Sequence, residues 1–371
     1  MRINPFKLER YFAEHEFKVR YLLSPSDCET IPMKDLLAMA DGEMHSAWDS
    51  LALGYTQSEG HPLLRAEVAR LYDGIEKEEV LIAAPEEAIL IAMQALLSPG
   101  DHVIVTYPGY QSLYEIARSL GCDITQWTLA AAGNRWQLDM QFLADRITPR
   151  TKLLVINFPH NPTGFLPSRE DFGAIIDLAR RHNLYLFSDE MYRWLEYDRV
   201  SQLPSACDLY ERAITLSGLS KSVGLPGLRI GWLATHDKSA ISGFARIKDY
   251  TTICSSAPSE ILAIIALRAK ETIVARNLGI VLDNLAIADQ FFKRFAHLLQ
   301  WLRPLAGSVA FPALSSGIPV TRFCRGLLER EGVMAVPGDT FEFSGNHFRV
   351  GLGRKNFPEA LKRVATYIES L

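Results

Sequence analysis

Four apolar residues in a row, Leu153-Leu154-Val155-Ile156, lead into Asn157 and then a turn rich in proline and glycine. A strand that is apolar on both faces must be covered on both faces, as in a parallel sheet packed between helices. Short apolar or β-branched strand candidates fall at residues 80–83, 102–106, 123–126, 153–157, 185–188, 213–216 and 231–234. Amphipathic stretches with helical spacing fall between or beside them, at 63–72, 87–97, 111–120, 140–147, 169–181, 238–247 and 258–269. Alternation of this type predicts an α/β architecture with a mainly parallel seven-stranded sheet sandwiched by helices.

The pattern changes near residue 270. A long helical stretch spans about 271–301, then short strands near 308–311 and 347–351 mix with helices at 320–331 and 358–370. We therefore expect residues 41–270 to form a large domain and 271–371 a smaller α+β domain. Residues 1–40, too few for a domain, should form an arm packed on the small one.

The 371 residues carry a net charge of −4 and no dense basic run, which argues against a nucleic-acid partner. No apolar run is long enough to span a bilayer, and residues 1–7 have no signal-peptide core. The five cysteines are scattered without a CxxC pair, which predicts reduced thiols in the cytoplasm and no zinc site.

The chemistry centres on Lys221. It lies in Ser217-Gly218-Leu219-Ser220-Lys221-Ser222-Val223-Gly224, a nearly apolar stretch of small residues, with Arg229 eight positions on between turn glycines. A lysine in a poorly solvated place beside another cation has a lowered pKa and can act as an amine nucleophile. The planar fork of Arg229 suits an oxyanion such as phosphate. Asp189 closes a buried strand, where a carboxylate faces the crevice at the sheet's carboxyl edge. Arg349 lies inside the apolar strand Phe348-Arg349-Val350 and must find a partner, with Arg354 as a competitor.

Together with Asn157-Phe158-Pro159-His160-Asn161-Pro162-Thr163-Gly164, these segments resemble the class I/II aminotransferases, the fold-type I pyridoxal-phosphate enzymes, over roughly residues 20–370. The resemblance implies a Schiff base between Lys221 and pyridoxal 5′-phosphate. It also implies transfer of an amino group from an L-amino acid to a keto acid. Asp189 would keep the pyridine nitrogen protonated, and Asn161 and Tyr192 would bind the phenolic oxygen. Tyr110 would stack on the ring. Ser220 and Arg229 would hold the phosphate, and Arg349, with Asn161, the substrate. Tyr55 would cross a homodimer to the neighbour's phosphate, giving shared active sites.

Two positions depart from that pattern. The turn after residues 80–83 reads Ala84-Pro85-Glu86-Glu87, where a phosphate cradle with glycine and hydroxyls is expected, and Gly218 removes another hydroxyl. Glu86 and Glu87 are thus placed at the cofactor, and either they point away from the phosphate or cofactor binding is weaker than is usual in the family. Leu225-Pro226-Gly227-Leu228-Arg229 and Lys248-Asp249-Tyr250-Thr251-Thr252 resemble the capreomycidine synthase-like branch of the family. That branch implies cyclisation, and β-elimination or replacement would diverge at the same carbanion. Tyr21, Asp27, Tyr250 and Phe311 are the side-chain-pocket candidates. A DNA-binding regulator would need a helix-turn-helix extension, and a cofactor-free paralogue would show no bound-cofactor absorbance.

Overall fold

The computed structural model describes residues 2–315 and 317–371. All seven expected runs form strands of one sheet: β1 (Val80–Ala83), β2 (His102–Tyr107), β3 (Asp123–Thr128), β4 (Thr151–Asn157), β5 (Tyr185–Asp189), β6 (Ala213–Gly218) and β7 (Gly231–Ala234). Their order across the sheet is β1-β7-β6-β5-β4-β2-β3. Only β7 runs antiparallel to its neighbours. Strands β1, β2, β6 and β7 are buried at every residue, whereas the edge strand β3 buries only Trp127. Runs apolar at successive positions thus became buried strands, including β1 at one edge of the sheet, and the more polar run became the exposed edge β3.

Helices cover both faces. Pro85–Leu96 and Ser112–Ser119 share one hydrophobic cluster with the sheet. Phe172, Ile175 and Ile176 of Arg169–Arg181 pack with Leu154, Ile156 and Leu186 on the other face. The helix Arg169–Arg181 begins at Ser168, whose side chain accepts the Asp171 amide, and ends in Arg180 and Arg181. A hydroxyl cap and a basic last turn complement the free amides and the dipole.

The expected helix over about 271–301 ends earlier, spanning Lys270–Arg294. Beyond it, Val309–Ala310, Phe348–Gly351 and Val336–Pro337 form a small antiparallel sheet. Helices Val320–Glu331 and Phe357–Glu369 flank it. The N-terminal segment touches both parts of the chain. Tyr21–Leu22 pairs with Val333–Met334, and Tyr11 donates to the Ala335 carbonyl. Asn4 donates to Glu115, and the Lys7 amide to Gln111, on the helix Ser112–Ser119 or its N-cap.

Strand order reverses between β2 and β4, so the loops after them leave in opposite directions and open a crevice at their carboxyl ends. The turns after β1, β2, β4, β5 and β6 all emerge at that edge.

Candidate active site

A cavity of about 440 Å³ fills this crevice. Around it stand Glu86, Tyr110, Asn161, Asp189, Tyr192, Ser220, Lys221 and Arg229, drawn from five separate turns. Phe6, Glu9 and Ser26 of the N-terminal segment complete the wall.

Register explains how these side chains meet. Strands β4 and β5 pair Asn157 with Asp189. Asn157 then donates from its amide nitrogen to the Asp189 carbonyl and accepts the Asn161 amide at 2.8 Å. This stitch sets Asn161 beside the end of β5. Within the same turn His160 bonds Thr163 at 2.8 Å, and burial pushes its pKa down to about 3, so it stays a neutral structural ring. Asp189 accepts the Met191 amide at one carboxylate oxygen, which leaves the other free to face the cavity. Burial raises its pKa to about 7, with the nearby Lys221 working against that rise.

Lys221 is half-buried, and desolvation lowers its pKa; Asp27 opposes this and Arg349 adds to it. Its ammonium donates to the Ser26 hydroxyl at 2.9 Å. Arg229 takes a left-handed backbone conformation (φ 56°) at the end of the turn Pro226–Leu228. It donates to the Pro226 carbonyl at 3.1 Å and borders the cavity. The hydroxyls of Ser220 and Tyr192 are buried with no partner among the described residues. Unpaired buried donors cost free energy. Around a cavity with a lysine, an aspartate and an arginine, they fit a bound aromatic aldehyde phosphate that would satisfy them.

Arg349 is 1% exposed, directly behind Asn161. It donates to the Asn161 side-chain oxygen at 3.1 Å and to the Ser24 carbonyl at 2.9 Å, and its Nε has no partner among the described residues. That contact assigns the Asn161 oxygen as an acceptor and turns its Nδ2 outward as a donor. The competitor, Arg354, is tied to Asp27 at 2.8 Å.

Several expected placements need correction. Glu87 does not face the cavity; it bonds Thr251 and Thr252, whose hydroxyls offer it better solvation than a buried wall. Tyr55, expected to serve a neighbouring subunit's site and not its own, lies outside this chain's cavity and is 92% exposed, which is no departure from that expectation. Tyr250 is 89% exposed, and Phe311 is buried against Phe341 and His347. Tyr21 is used in strand pairing and Asp27 in its ion pair, so none of these four lines the cavity. Glu9 and Ser26 went unnoticed in the sequence. Only the fold brings residues so near the N-terminus to Lys221, and no local motif marks them.

Comparison with known proteins agrees with this geometry. The family model described as aminotransferase class I and II matches residues 36–368. The chain is similar to capreomycidine synthase of Streptomyces vinaceus, 29% identical over 366 residues, covering 98% of this chain and 93% of that protein. It superposes on a PLP-dependent aminotransferase from Streptococcus suis with a TM-score of 0.93 at 30% identity, covering 100% of this chain and 99% of the other. The PLP-dependent cyclase OrfR superposes at 0.91 with 26% identity, covering 100% and 98%.

Proposed function

We propose, for a chain that belongs to the class I and II aminotransferases and uses pyridoxal phosphate, the following division of labour among its residues. Lys221 is the attachment point and the base: its Nζ, with a pKa lowered by desolvation, would take the substrate Cα proton and return it at the cofactor's aldehyde carbon. Bound pyridoxal phosphate supplies the electron sink for charge developing at Cα. The free oxygen of Asp189 holds the proton on the pyridine nitrogen. Asn161 Nδ2 and the unpartnered Tyr192 hydroxyl donate to the phenolic oxygen. Tyr110 covers the ring, and Ser220 and Arg229 face the phosphate. Arg349 binds the substrate carboxylate after releasing the Ser24 carbonyl. The observation that carries this reading is the convergence of Lys221, Asp189, Asn161 and Arg229 on one cavity from three turns.

In this reading residues 41–270 carry the cofactor, 271–371 bring Arg349, and the arm of residues 1–40 closes the cavity. Glu9, at the cavity wall, accepts the Tyr110 hydroxyl at 3.1 Å and has no ion pair among the described residues. A carboxylate at this wall, close enough to act on Lys221 and Arg349 as well, favours an amino donor with a cationic side chain. The likeness to OrfR supports a second reading, cyclisation or β-elimination through the same residues.

The site is shared in a homodimer. Leu53 and Tyr55 on one loop, and Tyr250 and Ile253 on another, are exposed. Hydrogen bonds Thr56–Ser255 and Ser58–Asp249 tie the two loops into one apolar patch, of the kind that marks an interface. Reduced cysteines, four of the five buried, suit the cytoplasm, and no helix among the described residues is long and apolar enough to cross a membrane.

A panel of basic, acidic and aromatic amino acids added to the cofactor-loaded protein tests the reading. A basic amino acid that bleaches the cofactor band and yields its keto acid supports aminotransfer with that specificity. Equal response to all classes removes the Glu9 argument. Consumption of only β-substituted substrates, with no keto acid, favours the second reading.

A further inference from the structure

The two departures at the phosphate end are a single packing arrangement. Pro85 opens the helix Pro85–Leu96, and its ring lies against the turn between β6 and β7. A Cβ at Gly231 would sit 2.8 Å from Pro85 Cγ and 2.7 Å from the Ser217 carbonyl. A Cβ at Gly218 would sit 3.2 Å from Pro85 Cγ and 2.9 Å from the Gly231 Cα. With Pro85 in place and β6 against β7, no hydroxyl-bearing side chain fits at 218. Pro85 also has no N–H, and Ala84 at the N-cap brings no side-chain cap. The helix start therefore offers the Glu86 and Glu87 amides and lacks the hydroxyls that would accompany them. The buried, unpartnered Ser220 hydroxyl marks the same end of the cavity as awaiting a ligand.

We infer that Glu86 replaces the missing hydroxyls: it binds the cofactor as a neutral carboxyl and donates its proton in a hydrogen bond to a phosphate oxygen. The inference rests on the proposed site. Its geometry is local: Glu86 is the second residue of the helix, lines the cavity with Ser220 and Arg229, and accepts the Ser112 hydroxyl at 3.3 Å. The groups around it favour the protonated form. Burial raises its pKa to about 7, and Glu9 adds to the rise; Ser112, Tyr110 and Arg229 oppose it. Asp189 and Lys221 face the same space. A phosphate dianion beside it would raise the pKa further. Ionised Glu86 would repel the phosphate, so cofactor retention must weaken as pH rises.

The test is equilibrium dialysis of the cofactor-free protein with pyridoxal phosphate between pH 6.5 and 9, with pyridoxal as the phosphate-free probe. The ratio of the two Kd values cancels the titration of Lys221, and the phosphate's own titration near pH 6 lies below the window. In the wild type, the advantage of pyridoxal phosphate over pyridoxal should shrink by up to about tenfold per pH unit above the Glu86 pKa. Glu86→Gln, a neutral donor at every pH, should keep the advantage and flatten its pH dependence. Glu86→Ala should also be flat but show a several-fold smaller advantage at pH 6.5. A flat ratio in the wild type, or an unchanged slope in Glu86→Gln, overturns the inference and leaves the proposed function standing. Wild-type protein that binds neither compound overturns the proposed function itself.

Discussion

Two regions of the cavity are built in different ways. At the tips of β2, β4 and β5, Tyr110, Asn161 and Asp189 are positioned by strand register and by the Asn157 stitch. At the corner where β1, β6 and β7 meet, the wall is shaped by exclusion: Pro85, Gly218 and Gly231 pack so closely that side chains are barred. The first region presents hydrogen-bonding groups at fixed heights. The second presents backbone amides, an orphan serine, an arginine and a carboxyl. Chemistry at the ring demands particular atoms in particular places. A phosphate with three acceptor oxygens can be held by several alternative donor sets, so this corner can be rebuilt without loss of the reaction.

Perturbing Lys221, or the groups at the strand tips, should hurt turnover most. Lys221→Ala should lower kcat by about 10²–10⁴-fold or more through loss of the proton transfer alone, read by steady-state kinetics with the fold checked by circular dichroism. Asp189→Asn should lower kcat by about 10²–10³-fold, the scale of losing one well-placed electrostatic partner. Cofactor should still bind, because the phosphate corner is intact. Similar losses of affinity and kcat would break the distinction between the regions.

The corner should respond in stability. Gly231→Ser should cost about 1–3 kcal/mol by overpacking against Pro85 and the Ser217 carbonyl. Adding Pro85→Ala should recover part of that cost, visible as a coupling in thermal melts. Additive effects would show that the corner is not one packed unit. Stability should also depend on pH. Burial raises the pKa of both Asp189 and Glu86 to about 7 in the folded protein. The stability this confers is present below their ordinary carboxylate values and lost as pH rises through about 7. The cofactor-free protein should therefore melt lower at pH 8 than at pH 5 on account of these groups, and Glu86→Gln should narrow the gap.

Much of this was legible in the residues. The seven strand candidates became the seven strands, and Asn161, Asp189, Ser220, Lys221 and Arg229 meet in one cavity. Local runs and turns suffice for that, since each side chain sits at the end of a strand whose direction the fold class sets. Contacts across long sequence separations were not legible. The Pro85 ring against Gly218 joins residues far apart in the chain, so its two ends read as unrelated departures. Glu9 and Ser26 reach the cavity only because the N-terminal segment is laid over it. Glu87 shares its helix turn with Glu86 yet points to Thr251 and Thr252, a choice made by a loop more than 160 positions away.

The most direct test of the central claim is borohydride reduction of the cofactor-loaded protein followed by peptide mass spectrometry. One pyridoxyl group per chain is expected, on Lys221. A label on a different lysine, such as the buried Lys248, or no label on a protein that retains cofactor, would contradict it.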